Sequence, residues 1–113
     1  MRIYNDQILN VDASDVVNGT VLIPQNIRSI GRRAFMNLSD LKYITIPENV
    51  KFIGAEAFIN CVNLRVCQFV NENCLLGTGI FSSCSELRYV ILPRKLKCLP
   101  SQTFEFCFSL TDI

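Results

Sequence analysis

The residues best equipped for chemistry are six cysteines, Cys61, Cys67, Cys74, Cys84, Cys98 and Cys107, in a chain that contains no histidine. A thiol can act as a nucleophile, a metal ligand or half of a disulfide. The first role needs an adjacent base, usually imidazole, and the second needs clustered donors such as a CxxC pair. Neither arrangement is present in this sequence. Cys61, Cys84 and Cys107 are evenly spaced along the chain. Stacked strands about 4.8 Å apart would bring such thiols within bridging distance, but equivalent side chains would point in parallel, and three in one column cannot all pair. The six thiols are therefore expected to be reduced, with four of them behaving as small buried hydrophobes. Cys74, after Asn71-Glu72-Asn73, is expected to be the most exposed, and Cys98, in register with Phe52 and Leu75, to be part buried.

Other candidate chemistry is sparse. Gly77-Thr78-Gly79 lacks the further glycine and the lysine of a phosphate-binding loop and reads as a turn. Asp6, Asp12 and Asp15 do not follow the spacing of a calcium loop. Asn18-Gly19-Thr20 and Asn37-Leu38-Ser39 match the glycosylation sequon, a short pattern that arises often by chance. No cofactor is implied, and the chain reads as non-catalytic.

What places the thiols is a repeat. Leu41, Leu64, Leu87 and Leu110 recur at the same 23-residue spacing, and the residues between them recur with them. Self-similarity at such a period marks a solenoid, in which each unit buries its apolar face against its neighbours. In the units at 18–40, 41–63, 64–86 and 87–109, with a partial fifth at 110–113, Val21, Ile44, Cys67, Val90 and Ile113 share one column. Ile23, Ile46, Phe69 and Leu92 share the next but one, so alternation predicts inward-facing strands near 20–24, 43–47, 66–70 and 89–93. Proline at Pro24, Pro47 and Pro93 closes three of them.

A second inward segment is predicted at Ile27/Ile30, Val50/Ile53, Leu76 and Leu96/Leu99. Gly31, Gly54 and Gly77 follow it, marking a bend that needs positive φ or close backbone approach; Pro100 breaks their column. Phe35, Phe58, Phe81 and Phe104 come next, each followed three residues later by Leu38, Cys61, Cys84 or Cys107. That spacing suits a single helical or 3₁₀ turn and a stacked phenylalanine ladder. Residues 1–20 fall outside the repeat and are expected to cap the open end, while residues 21–113 form the repeat domain.

The pattern LxxIxIPxxVxxIGxxAFxxCxxL resembles the BspA-like, or treponemal-type, leucine-rich repeat, and the resemblance covers residues 21–113. Departures are Val70, Ile80 and Gly79 in the third unit and Pro100 and Thr103 in the fourth. The resemblance implies a right-handed leucine-rich-repeat solenoid, formally α/β but mostly β, with short parallel strands on one face and helical or 3₁₀ turns on the other. It also implies an interaction protein of the cell surface or a secreted one, several relatives being linked to adhesion to host proteins.

Eleven basic residues against ten acidic give a net charge of +1, which favours neither nucleic acid nor an anionic membrane as partner. No apolar run approaches the roughly 20 residues of a membrane span, and the N-terminus lacks the features of a signal peptide. The compartment stays open between the cell surface, which the resemblance implies, and the cytoplasm, which reduced cysteines allow. The expected partner is a protein. Its binding face is placed on the outward strand positions Tyr43, Val66 and Tyr89, then Thr45, Gln68 and Ile91, with Lys42, Arg65 and Arg88 along the edge. The alternative is a structural segment that stacks with further repeats or self-associates through residues 88–113, where the last unit's apolar face is expected to lie open.

Overall fold

A computed structural model describes residues 1–112. Its strands are β1 (Arg2–Tyr4), β2 (Gln7–Asn10), β3 (Ser29–Ile30), β4 (Tyr43–Ile46), β5 (Phe52–Ile53), β6 (Val66–Phe69), β7 (Leu75–Leu76) and β8 (Tyr89–Ile91). They form two sheets. One has the order β4-β6-β8, all parallel, and the other runs β1-β2-β3-β5-β7. Register follows the repeat period, with Ile44 opposite Cys67 and Cys67 opposite Val90 in one sheet and Ile30 opposite Ile53 and Ile53 opposite Leu76 in the other. The chain is thus a solenoid of about four coils with a sheet on each of two faces. The place of Ile113 in the Val90 column lies outside the described residues.

The first predicted strand, at 20–24, shrinks to a single parallel bridge between Thr20 and Tyr43. Asn18 and Gly19, at φ 53° and 82°, turn the chain just before it, and Pro24 ends the segment. Val21 and Ile23 are buried all the same.

The third face corrects a larger expectation. Among the described residues the one helical element is a 3₁₀ turn at Ala13–Asp15, outside the repeats. Each phenylalanine is instead carried by successive β-turns, as at Phe58: Ala57 N–H donates to Gly54 C=O at 3.2 Å, and Cys61 N–H to Phe58 C=O at 3.2 Å. Both have a left-handed residue in third position, Glu56 at φ 58° and Asn60 at φ 61°. A type II turn requires that conformation there. It recurs in two columns, Arg33, Glu56, Gly79, Gln102 and Asn37, Asn60, Ser83, Phe106. Side chains other than glycine lose roughly 1–2 kcal/mol in this conformation, so something must offset it. Coil-to-coil bonds do so: Phe35 N–H donates to Ala57 C=O at 2.8 Å, Phe58 to Ile80 at 2.9 Å and Phe81 to Thr103 at 3.2 Å.

Gly79 therefore fills the left-handed slot of its coil, while Gly31, Gly54 and Gly77 lie outside the left-handed region and are glycines because of close approach. A Cβ on Gly54 would sit 2.5 Å from the Arg32 backbone nitrogen. Gly54→Ala is expected to cost about 1–3 kcal/mol, since the clash is with backbone and the coils must part. An unchanged urea midpoint would refute that packing.

The phenylalanine ladder runs unbroken: ring centroids are 4.7 Å apart for Phe35 and Phe58, 5.7 Å for Phe58 and Phe81, and 5.9 Å for Phe81 and Phe104. Phe35, Phe58 and Phe81 are fully buried. The N-terminal segment is less separate from the repeat than its sequence indicates. β1 and β2 make an antiparallel hairpin, turned at Asn5 (φ 55°), and β2 then pairs in parallel with β3, placing Ile8 opposite Ile30. Ile8 is fully buried, and Val11 N–H continues the ladder to Ala34 C=O at 2.8 Å. Ile8 and Ile30 stand one residue closer in the chain than the repeat period, so a strict period hides an incomplete coil.

In the fourth coil the second inward segment fails. Leu96 is half-buried, Leu99 is exposed, and among the described residues no strand follows β7 in its sheet. Gly31, Gly54 and Gly77 each donate an N–H to the preceding coil, to Ile8, Ile30 and Ile53 at 2.7–2.8 Å. Pro100 occupies their column and has no N–H to give.

Candidate functional site

The outward side of the three-stranded sheet carries six of the nine predicted positions, and the other three, Lys42, Arg65 and Arg88, lie exposed immediately before its strands. Alternation places the six: Ile44, Ile46, Cys67, Phe69 and Val90 are buried, so the residues between them face out. Tyr43, Val66 and Tyr89 lie in one row and Thr45, Gln68 and Ile91 in the next. Tyr43 is 46% exposed and Tyr89 41%, whereas Val66 and Ile91 are half-buried. Each tyrosine is therefore part covered and part in solvent.

Lys42, Arg65 and Arg88 stack beside them, all exposed, because their backbones are joined coil to coil: Arg65 N–H donates to Lys42 C=O at 2.8 Å and Arg88 N–H to Arg65 C=O at 2.9 Å. Three cations held at strand spacing repel one another and keep an anionic partner favourable. Glu86, 4.0 Å from Arg88, is the carboxylate nearest this column among the ion pairs of the described residues. The surface offers rings, cations and amide groups without an activated nucleophile, and it can adhere to a complementary surface. Among the described residues no group of histidine, cysteine, aspartate and glutamate could hold a metal ion.

The thiols behave differently from their sequence reading in two places. Cys61, Cys84 and Cys107 are more than small hydrophobes, because each Sγ–H donates to the carbonyl of a phenylalanine in the preceding coil, Phe35, Phe58 and Phe81, at 3.0–3.1 Å. Burial pushes the Cys61 thiol up to about 12 and Cys107 to about 11. Cys74 is buried, 7% exposed, and Cys98 is the exposed thiol. In the third coil exposed Asn73 stands where Val50 stands in the second, and Cys74, one residue on, turns inward in its place. Asn71, also buried, donates its amide to Val50 C=O. Cys98 shares the outward column of Phe52 and Leu75, both exposed. The register with Phe52 and Leu75 holds as the sequence predicts, but the column faces outward, so Cys98 is exposed where part burial was expected. Under native conditions Cys98 is expected to alkylate first, and six thiols after denaturation. Mass spectrometry that finds Cys74 modified ahead of Cys98 would contradict the placement.

Two sheets paired in parallel from coil to coil, a turn-built third face and an internal phenylalanine ladder define a leucine-rich-repeat solenoid. The family model described as BspA type leucine rich repeat region (6 copies) matches residues 18–113, and the chain belongs to that family. A crystal structure of a leucine-rich repeat protein from Bacteroides ovatus ATCC 8483 resembles it with a TM-score of 0.71 at 28% identity, over 81% of this chain and 23% of that one. One from Eubacterium ventriosum ATCC 27560 does so at 0.73 and 21% identity, over 96% of this chain and 35% of that one. The Treponema pallidum leucine rich repeat protein follows at 0.56 and 24% identity, over 81% and 56%. The last two attest the fold alone, and the chain spans less than two thirds of each of the three proteins. No curated protein matches it. The fold suggests a protein-interaction or repeat-scaffold role, in a family of typically non-enzymatic repeat proteins. No helix among the described residues is long and apolar enough to cross a membrane.

Proposed function

We propose that the chain is a non-catalytic binding module whose three-stranded sheet captures a protein ligand, in the manner of a cell-surface adhesion repeat. The observation that carries this reading is the in-register placement of half-exposed Tyr43 and Tyr89 beside the Lys42, Arg65 and Arg88 column. Tyrosine and arginine dominate binding hot spots because they combine contact area with hydrogen bonding at small entropic loss. A flat, cationic face of this kind suits a folded partner with an acidic surface. The test is capture of candidate host and cell-surface proteins by the domain and by Tyr43→Ala/Tyr89→Ala. Loss of the two rings is expected to weaken binding at least about 30-fold, the equivalent of roughly 2 kcal/mol for one hot-spot residue, with melting unchanged. Equal capture by both proteins would sink the reading.

A second reading, end-to-end stacking through residues 88–113, is favoured by the apolar surface of the last coil. Phe106 and Phe108 are exposed with ring centroids 6.0 Å apart, and Leu92, Phe104 and Leu110 are only partly buried. Light scattering that stays monomeric at high concentration would exclude self-association.

A further inference from the structure

On the opposite sheet, beyond the face assigned above, a groove of about 500 Å3 opens between β7 and residues 95–100. Two independent features define what would fill it. The first is a row of unmet acceptors. In every earlier coil the glycine N–H reaches back to the preceding strand, but Pro100 cannot donate, and among the described residues no backbone hydrogen bond joins 96–100 to β7. The outer edge of β7, with the carbonyls of Cys74 and Leu76 where the next coil should donate, is left open. An unpaired strand edge takes a further strand readily.

The second feature is the wall. Phe52, Leu75, Leu76, Leu96 and Pro100 make it apolar, while the charged residues lining it, among the described residues, are Lys51, Lys95 and Lys97. Lys95 already faces Glu72 at 3.4 Å. Lys51 and Lys97 have no carboxylate within ion-pair distance among the described residues. An occupant must therefore supply N–H donors to β7, apolar side chains to the floor and carboxylates to the rim. A fatty acid meets the last two needs and lacks the donors.

We infer that this groove binds an extended peptide in which acidic and apolar residues alternate, added as a strand to the edge of β7. Backbone bonds hold it, and the lysine rim selects its charge. The site is separate from the tyrosine face and stands or falls without it.

Fluorescence anisotropy with a labelled, end-blocked Glu–Val alternating peptide tests this on the whole chain. The Glu–Val peptide is expected to bind and the Lys–Val counterpart to bind at least about tenfold more weakly, since like charges oppose encounter. N-methylation of alternate residues, made in both phases, should abolish binding in at least one, because it removes the donors and spares the side chains. Lys97→Glu, an exposed change, should weaken binding without altering melting, and Tyr43→Ala/Tyr89→Ala should leave it intact. Pro100→Gly restores the missing donor, lets 98–100 pair with β7 and closes the groove to the peptide. Failure of the Glu–Val peptide to bind overturns the proposal, as does undiminished binding by both methylated peptides. Decanoate binding in its place would assign the groove to a lipid carboxylate, and a mass doubling abolished by Lys97→Glu would assign it to a second copy. Either result overturns the peptide reading.

Discussion

Replacing Phe58 with alanine is expected to destabilise the domain by about 3–5 kcal/mol, as truncations of fully buried aromatics do. The ring is fully buried between Phe35 and Phe81, with centroids 4.7 and 5.7 Å away, so its loss opens a void touching two coil interfaces at once. In a repeat protein, stability is a sum of unit and nearest-neighbour contributions, and a central unit carries two interfaces. Against a total of about 5–15 kcal/mol the change approaches unfolding. Phe104→Ala is the internal comparison. Phe104 is half-buried and stacks within the phenylalanine ladder on Phe81 alone, so it should cost clearly less. Denaturant melts of the two variants decide the matter. Equal costs, or a shift of only a degree or two for Phe58→Ala, would contradict the ladder.

Raising the pH should unfold the protein, and the buried thiols say where. Desolvation lifts Cys61 to about 12 and Cys74 to about 11 from the ordinary thiol value of 9.0, and it raises Cys67 and Cys84 as well. Above pH 9 the unfolded chain releases these protons while the folded chain keeps them. The folded state then binds more protons, and stability must fall as pH rises. The contribution is complete below pH 9 and is lost as pH climbs toward 11 and 12, the folded values of Cys74 and Cys61. Each thiol that stays protonated adds a slope of about 1.4 kcal/mol per pH unit, and several act together. The melting temperature is expected to hold to about pH 8 and drop steeply by about pH 10. Cys61→Val, which keeps the volume and removes one titrating group, should make that drop shallower. Identical pH profiles for the two proteins would show that Cys61 is not buried as described.

The repeat, most of its inward columns, the phenylalanine ladder and the outward rows of the three-stranded sheet were legible in the sequence, because each is a column property: identical spacing brings equivalent residues to the same side of successive coils. Two cysteines show how far that logic reaches. Cys107 lay in the Cys61 column and took the predicted place, while Cys74, in the column of Lys51 and Lys97, turned inward when Asn73 left the Val50 position empty. A column assigns a side only while the local backbone keeps its register, and packing resets it where an inward residue is polar.

The turns needed tertiary structure for a different reason. Phenylalanine and cysteine at i and i+3 fit a helical turn as well as a β-turn, and local spacing cannot choose between them. Coil-to-coil hydrogen bonds choose, by holding residues such as Glu56 and Asn60 left-handed. Ile8 joined the core one residue out of step with the repeat, a shift that strand pairing tolerates and a strict period misses. The groove beside β7 exists because a missing N–H at Pro100 matters only once the acceptor opposite it is known. Sequence alone determined which side chains share a face wherever the backbone keeps the repeat register, since that follows from the period. Tertiary structure alone decided which backbone groups find partners, since those partners lie a full coil away.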